Sequence, residues 1–342
     1  MHPPQGPRHA RHVRQRRLRL SPAVGVAGVA GVAGLVMLLA TVGLPFGATA
    51  KPQGDGKWSV KCNVTRTAAD DPIVFPNQPG RSHLHLFYGN QSVTAATILT
   101  NTLVQGASDC QKGMGEVDHA SYWAPALLRN GKPVGGTPND LRIDAYYSRN
   151  GLIGRIQPIP LGLRMLAGDS KATSPQPTDI VHYNCLKFPQ GGQVTRPSAT
   201  MPSCPAGTYL SARVDFPNCW NGKDLDSADH KSHMAYAVGG RCDAAHPVPL
   251  PTLFMRIRWK SAVGVPSSQL SLSSGGQLTL HADFWNGWSP AVMQWLVDNC
   301  INVTRECTDI SRDQIPVPTG NFPKVNDQAV AAMATGAAMA SS

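Results

Sequence analysis

Glutamate is almost missing from this 342-residue sequence, which contains it only at Glu116 and Glu306. Glycine, with 33 residues, and proline, with 29, are abundant instead. Exposed helices draw on Glu, Lys and Ala for their solvent faces, so the composition argues against a helix-rich fold. A glycosidase built on this chain would have to use two aspartates as its carboxyl pair.

Two common metal motifs are missing as well. The eight cysteines form no Cys-x-x-Cys pair, which leaves no basis for a zinc ribbon or a thioredoxin-like redox site. The stretch "HKSH" at 230–233 lacks the spacing and the glutamate of a zincin motif. No known metal signature therefore stands out beyond the His-x-His pair at 83–85.

The positive charge is concentrated at the N-terminus. The chain carries a net charge of +10, but residues 1–50 hold six arginines and no acidic residue, which leaves 25 basic against 21 acidic side chains, or +4, in the remainder. Nucleic acid is therefore not an expected partner.

Residues 1–50 resemble an export signal. An arginine-rich start is followed by an uncharged stretch and by "ATA" at 48–50, which predicts cleavage after Ala50. The uncharged stretch is also long enough to span a bilayer, so an uncleaved membrane anchor is the alternative. Either way the domain is expected to be secreted or held on the outer face of the membrane, touching it only through this segment.

All eight cysteines follow that segment, and an even number of cysteines in an exported chain predicts disulfides. Eight cysteines allow 105 pairings. Proximity in sequence supports only Cys300 with Cys307 and Cys219 with Cys242.

Several segments alternate between apolar and polar residues, as half-buried antiparallel strands do. They include "LRIDAYY" (141–147), "TLFMRIRWK" (252–260) and "QLTLHADFW" (277–285). One helix is predicted after Ser289, which can cap it. We expect a mainly β, disulfide-stapled, single antiparallel domain over 58–313, of β-sandwich or jelly-roll type with few short helices. An Ala-rich tail over 314–342 is expected to be disordered.

Three segments concentrate groups that could carry chemistry: "SHLHLFYGN" (82–90), the loop 218–236, and "HADFWNGW" (281–288). Polar groups this dense are costly to bury separately, so we expect them to line one wet cleft. The candidate catalytic residues are His83, His85, Asp226, Asp229, His230, His233, His281 and Asp283. The candidate substrate-binding residues are Tyr122, Trp123, Trp220, Lys231, Trp285 and Trp288, with core packing as the alternative for each tryptophan.

Five strings in order resemble the domain-of-unknown-function family 1996 of exported bacterial and fungal proteins: "DPIVFPNQPGRSHLHLFYGN", "ASYWAPAL", "FPNCWNGKDLDSADHKSHMAY", "HPVPLPTLF" and "DFWNGW". The resemblance covers about residues 70–288 and implies no settled activity. The fusion of some fungal members to carbohydrate-binding modules implies an extracellular or wall-associated role.

These observations predict a protein that acts on, or binds, an extracellular or cell-wall polysaccharide through a His/Asp/Trp cleft. A polysaccharide hydrolase or lyase is one form, and a non-catalytic glycan-binding or structural module of the envelope is the other. We expect histidines that transfer protons or bind substrate, with a divalent metal as the alternative and no other cofactor. The sequence does not indicate an oligomeric state.

Overall fold

The computed structural model describes residues 55–135, 141–187 and 191–325. The predicted signal or anchor at 1–50 and the end of the predicted tail, from 326, lie outside the described residues. Within the described part, none of the helices has the length and apolar character needed to cross a membrane.

Strands dominate the described chain, at 33% against 12% helix. The strands are β1 Lys57–Ala68, β2 His85–Gly89, β3 Ser121–Pro125, β4 Leu127–Arg129, β5 Lys132–Pro133, β6 Leu141–Ser148, β7 Arg164–Gly168, β8 Val181–Lys187, β9 Thr208–Asp215, β10 Cys219–Trp220, β11 Met234–Ala235, β12 Val248–Pro249, β13 Thr252–Trp259, β14 Leu270–Leu272, β15 His281–Trp285 and β16 Glu306–Cys307. The helices are α1 Thr100–Leu103 and α2 Pro290–Leu296, a π-turn at Val297–Ile301, and 3-10 turns at Met114–Glu116, Lys260–Ala262, Ser267–Gln269, Gln277–Thr279 and Arg312–Gln314.

One large sheet organises the domain, with the strand order β7-β15-β3-β2-β1-β6-β13-β9-β8. Neighbours on this path are antiparallel, and β16 adds to β1 in parallel. The predicted alternation is confirmed in β13, where Leu253, Met255, Ile257 and Trp259 are fully buried while Arg256 lies on the opposite face. The prediction of a mainly β, antiparallel fold is confirmed.

The sheet curls so that its two halves face each other across the main core. Tyr147 of β6 meets Phe284 of β15 with ring centroids 6.5 Å apart, and Trp58 of β1 stacks on Tyr147 at 4.7 Å. Side chains from both halves thus fill one core, as the two layers of a sandwich do.

The outer face of the sheet is divided. Over β2, β3 and β15 the segment between β1 and α1 covers it, forming a second, smaller core from Ile73, Phe87, Val93, Leu103, Trp123 and Trp285. Over β1, β6, β13 and β9 the outer face carries polar and charged side chains instead and lines a groove. The candidate site lies at the edge of the covered half.

Four disulfides staple the domain, and both predicted pairs, Cys300 with Cys307 and Cys219 with Cys242, are confirmed. The remaining pairs join Cys62 to Cys110 and Cys185 to Cys204, and the structure leaves no cysteine free among the described residues. Four bridges are what an oxidising, extracellular compartment permits. The predicted helix is also confirmed, because the Ser289 side chain accepts a hydrogen bond from the Val292 amide at the start of α2.

The chain stays in contact with the domain beyond the predicted boundary at residue 313. The Phe322 ring meets the His119 ring edge-on at 5.1 Å, and the Val325 amide donates to the Asn101 side chain. The first part of the predicted tail, up to residue 325, therefore packs against the domain.

Candidate functional site

The three histidines His83, His85 and His281 meet at one end of the covered half-sheet, although His281 is 198 residues from His83 and 196 from His85 in sequence. Strand β3 lies between β2 and β15, and its register places Pro125 opposite His85. The pairing of Trp123 with Asp283 then brings His281 level with the same proline. Strands are about 4.8 Å apart, so the two histidine backbones are separated by about 10 Å and their side chains converge over Pro125.

The Nε2 atoms of these histidines are close together. His83 Nε2 lies 3.1 Å from His281 Nε2, and His85 Nε2 lies 3.5 Å from the same atom. Each of the three residues can place a ligand nitrogen within 4.8 Å of the other two. The structure therefore brings these three histidines together, and their role stays a prediction.

Backbone contacts determine the tautomers of two of the rings. Nδ1 of His85 donates to the Asp70 carbonyl at 2.9 Å, and Nδ1 of His281 donates to the Thr279 carbonyl at 2.8 Å. With the proton on Nδ1, the Nε2 of each neutral ring carries a lone pair. Two lone pairs then point toward each other, an arrangement that repels unless a proton or a cation lies between them. Histidine ligands of metals are held by this kind of second hydrogen bond.

The spacing matches a tetrahedral metal site. With Zn–N bonds of about 2.0–2.1 Å and tetrahedral angles, two ligand nitrogens lie about 3.3 Å apart. The observed separations of 3.1 and 3.5 Å bracket this value. An all-imidazole donor set suits Zn, Cu, Ni or Fe and is unlike the oxygen cages of Ca and Mg.

Two carboxyl groups adjoin the histidines. Asp71, His85 and Asp283 each place a ligand atom within 4.8 Å of the other two, and Asp283 Oδ2 lies 4.0 Å from His85 Nε2. Among the described residues, Asp283 Oδ2 is buried without a hydrogen-bond partner. A buried, unpartnered carboxyl oxygen beside three imidazoles is the position of a fourth ligand or of a proton carrier.

Burial controls the charge state of the cluster. It lowers the pKa of His83 to about 4, that of His281 to about 3, and that of His85 well below its ordinary value, so the rings are neutral near pH 7. Burial also raises the pKa of Asp71 to about 6. Burial raises the pKa of Asp283 well above its usual range, and repulsion from the Asp71 carboxylate raises it further. Neutral imidazoles are the form that binds a metal.

The predicted loop contributes a second group at the same place. His230, in a left-handed conformation with φ of 56°, donates from Nδ1 to the Asp226 carboxylate, whose oxygens both lie at 3.0 Å. The electrostatic interaction with His230 opposes the rise in the pKa of Asp71 that burial causes. The charge of Lys231 lowers the pKa values of His281 and Asp283. The loop therefore flanks the cluster, with an Asp–His pair and a lysine.

Two other predicted residues of the loop hold its shape. His233 is buried, with Nε2 donating to the Arg164 carbonyl at 2.7 Å and Nδ1 lying 2.9 Å from the Ser227 hydroxyl, which also donates to Asp229. Asp229 accepts from the backbone amides of Lys231 and Ser232, and these bonds hold its pKa low. We assign both residues to loop geometry, because their polar atoms are used within the loop and its contact with β7.

Most of the aromatic side chains predicted to bind substrate lie in the two cores. Tyr122, Trp123, Trp285 and Trp288 are fully buried. The face of Trp285 is covered by the Arg164 guanidinium at 4.1 Å, and Trp123 stacks on Phe87 at 5.5 Å.

Tyr122 and Trp288 belong to a buried hydrogen-bond network instead. The Tyr122 hydroxyl donates to Asp118, and Trp288 Nε1 donates to the Tyr147 hydroxyl. Trp220 is the half-buried exception, donating from Nε1 to the Asp224 carbonyl. Core packing, the alternative stated for each tryptophan, therefore describes the buried rings, and we do not retain them as stacking surfaces for a sugar.

Sequence reasoning missed the segment before β2. Asp71 lies in the cluster, its side chain accepts from the amides of Ile73 and Val74, and the neighbouring Asp70 supplies the carbonyl that orients His85. Two adjacent acids immediately before the apolar string "PIVF" are the signal that could have identified it, because acids beside a buried segment need partners.

The fold and the site together define a disulfide-linked antiparallel β protein with a cluster of three histidines and two aspartates, all buried except the half-buried His83. A family model described as "Domain of unknown function (DUF1996)" matches residues 71–288, more than half of the chain, and the chain belongs to this family. No curated protein and no solved structure matches this chain.

Proposed function

We propose that this protein is an exported metal-dependent enzyme that acts as a hydrolase or lyase on an extracellular or cell-wall polysaccharide. The observation that carries the proposal is the convergence of His83, His85 and His281, with the lone pairs of two Nε2 atoms facing each other. Support for a glycan substrate comes from the export pattern of the first 50 residues, the four disulfides and the wall-associated role that the family implies.

The residues around the metal position have distinct roles in this proposal. A metal bound by the three imidazoles would supply Lewis acidity toward an oxygen of the substrate. His230, oriented by Asp226, is the general base, because its Nδ1 proton is held by the carboxylate and Nε2 is left to accept one. Lys231 supplies positive charge beside Asp283 and stabilises an anionic group of the substrate there.

Metal content tests the centre directly. Protein purified without a His tag should contain about one equivalent of zinc or copper per chain by mass spectrometry. His281→Ala, which removes the nitrogen close to both other rings, should lower the affinity for metal by more than the ~10- to 100-fold cost of losing an outer-shell partner. His182→Ala, outside the cluster, is the matched control. Stoichiometric metal in His281→Ala would overturn the assignment.

Catalysis is tested separately with reducing-sugar and unsaturated-product assays on a panel of wall and plant polysaccharides. Product release should fall at least about 100-fold in His281→Ala and in His230→Gln, while His230→Gln keeps its metal. Retention on one polymer without product, unchanged by His83→Ala, would favour a glycan-binding module instead. N-terminal sequencing of the exported protein should begin at Lys51, whereas an intact N-terminus would favour the membrane anchor.

A further inference from the structure

The open half of the sheet bears a groove of about 610 Å³ that is separate from the histidine cluster. Strands β1, β6, β13 and β9 form its floor, because their other face is buried in the main core. Along β1 the groove begins near Lys57 and Lys61, whereas Ala68, at the opposite end, pairs with His85. Seven residues of strand separate Lys61 from Ala68, so the groove and the cluster are about 20 Å apart.

Cations at the rim of the groove have acidic partners. Lys57 pairs with Glu306 at 3.4 Å, Lys61 pairs with Asp309, and Arg213 pairs with Asp215 at 2.6 Å. Within each of these three pairs the positive and the negative charge neutralise each other.

The centre of the floor is different. Arg142 and Arg258 share Asp144, a fully buried carboxylate that contacts Arg258 and lies 3.8 Å from Arg142, and Arg256 lies opposite Asp144 on the neighbouring strand. Three positive charges against one negative leave a net charge of +2. Arg256 lies 5.2 Å above the Tyr146 ring and has no carboxylate partner within the part of the chain that the structure describes.

The register places like charges directly opposite each other. Arg142 pairs with Arg258 across β6 and β13, and Arg256 pairs with Arg213 across β13 and β9. Like charges directly opposite on adjacent strands destabilise a sheet. The cost is visible at Arg258, whose pKa is lowered to about 10 by burial and by repulsion from Arg142. An anion bridging the guanidinium groups would relieve this repulsion.

We propose that this groove binds an anionic polysaccharide through the guanidinium groups of Arg142 and Arg256. Guanidinium groups recognise carboxylate and phosphate through paired N–H donors. Both chemistries occur in envelope polymers, and the shared feature is a repeating negative charge along an extended chain. The groove is open at the surface, as a polymer requires. The inference does not depend on the metal centre, and it adds a docking surface for the polymer class proposed above.

The test measures retention by affinity electrophoresis in gels containing polygalacturonate, poly(glycerol phosphate) or a neutral β-glucan. The wild-type protein should be retarded by a polyanion and not by the neutral polymer, with retardation lost at high salt. Arg256→Gln and Arg142→Gln should each weaken retention about 10-fold, the effect of one lost charge-assisted hydrogen bond. Because Arg142 and Arg256 lie on different strands, the test still stands if one of the two variants fails to fold.

Lys132→Gln removes the same charge from an exposed position on β5 and should bind as the wild type does. Equal weakening by Lys132→Gln and Arg256→Gln, or retention of the wild type by none of the polyanions, would overturn the inference. A preference for polygalacturonate identifies carboxylates as the ligand, and the reverse preference identifies phosphates. His281→Ala should be retained normally, so that failure of the metal proposal is distinguished from failure of this one.

Discussion

One buried carboxyl group, Asp118, should make a large contribution to the pH dependence of stability of this domain, and a single substitution isolates it. Asp118 is fully buried beside the main core, where Oδ1 accepts from the Ala120 amide and Oδ2 accepts from the Tyr122 hydroxyl. Burial raises its pKa from 3.8 to about 7 despite these bonds. In the unfolded chain the same group ionises near its ordinary value.

The sign follows from proton binding. Between about pH 4 and pH 7 the folded protein holds a proton on Asp118 that the unfolded chain has lost, so the free energy of unfolding falls as the pH rises. The stabilising contribution is present in full below the unfolded pKa of 3.8 and is lost through the folded pKa of about 7. The difference between these values corresponds to about 4 kcal/mol.

Asp118→Asn removes the titration and keeps the geometry. The amide oxygen can accept from Ala120, and the amide nitrogen can donate to the Tyr122 hydroxyl once that hydroxyl turns to donate to Tyr147 instead. Relative to wild type, the variant should gain up to about 4 kcal/mol of stability between pH 4 and pH 8, measured by chemical denaturation of both proteins at each pH. A wild-type-to-variant difference that stays constant over this range would refute the reasoning.

Two further predictions concern the scaffold. A Cβ added at Gly287 would lie 2.5 Å from the His119 carbonyl oxygen, so Gly287→Ala should lower the free energy of unfolding by about 1–3 kcal/mol, whereas Gly192→Ala, which meets nothing within 4 Å, should not. Equal melting temperatures for the two variants would contradict the clash. The Cys62–Cys110 bridge spans 48 residues and the Cys300–Cys307 bridge spans 7. Replacing the first pair by serine should lower the free energy of unfolding by about 4 kcal/mol, and replacing the second should lower it by about 2 kcal/mol. A larger loss for the second pair, measured by chemical denaturation, would contradict the loop-entropy reasoning.

The alternation of β13 and the cap of α2 could be predicted because each depends on neighbours in sequence. Every second residue of β13 faces the core, and Ser289 caps the helix that follows it. Local disulfides were predictable for the same reason, whereas the pairing of Cys62 with Cys110 depends on how β1 meets a distant loop. The burial of Trp285 and Trp288 was harder to predict, since a tryptophan beside polar residues has the same sequence pattern in a cleft as in a second core.

The geometry of the histidine cluster could not be predicted from neighbouring residues alone. The His-x-His spacing places His83 and His85 on one face of a strand and His281 is expected in the same cleft, but the neighbouring sequence does not indicate that the three Nε2 atoms come so close together. That information lies in strand order: β3 inserts between β2 and β15, and its register brings His85 and His281 level with Pro125. The tautomers depend equally on distant backbone, because the Asp70 and Thr279 carbonyls hold the Nδ1 protons. A lone imidazole can be a base, whereas two imidazoles whose unprotonated nitrogens face each other at 3.5 Å repel unless a proton or a cation lies between them. The proposed metal centre rests on this arrangement, and the proton-transfer role expected from the sequence stays a prediction for His230.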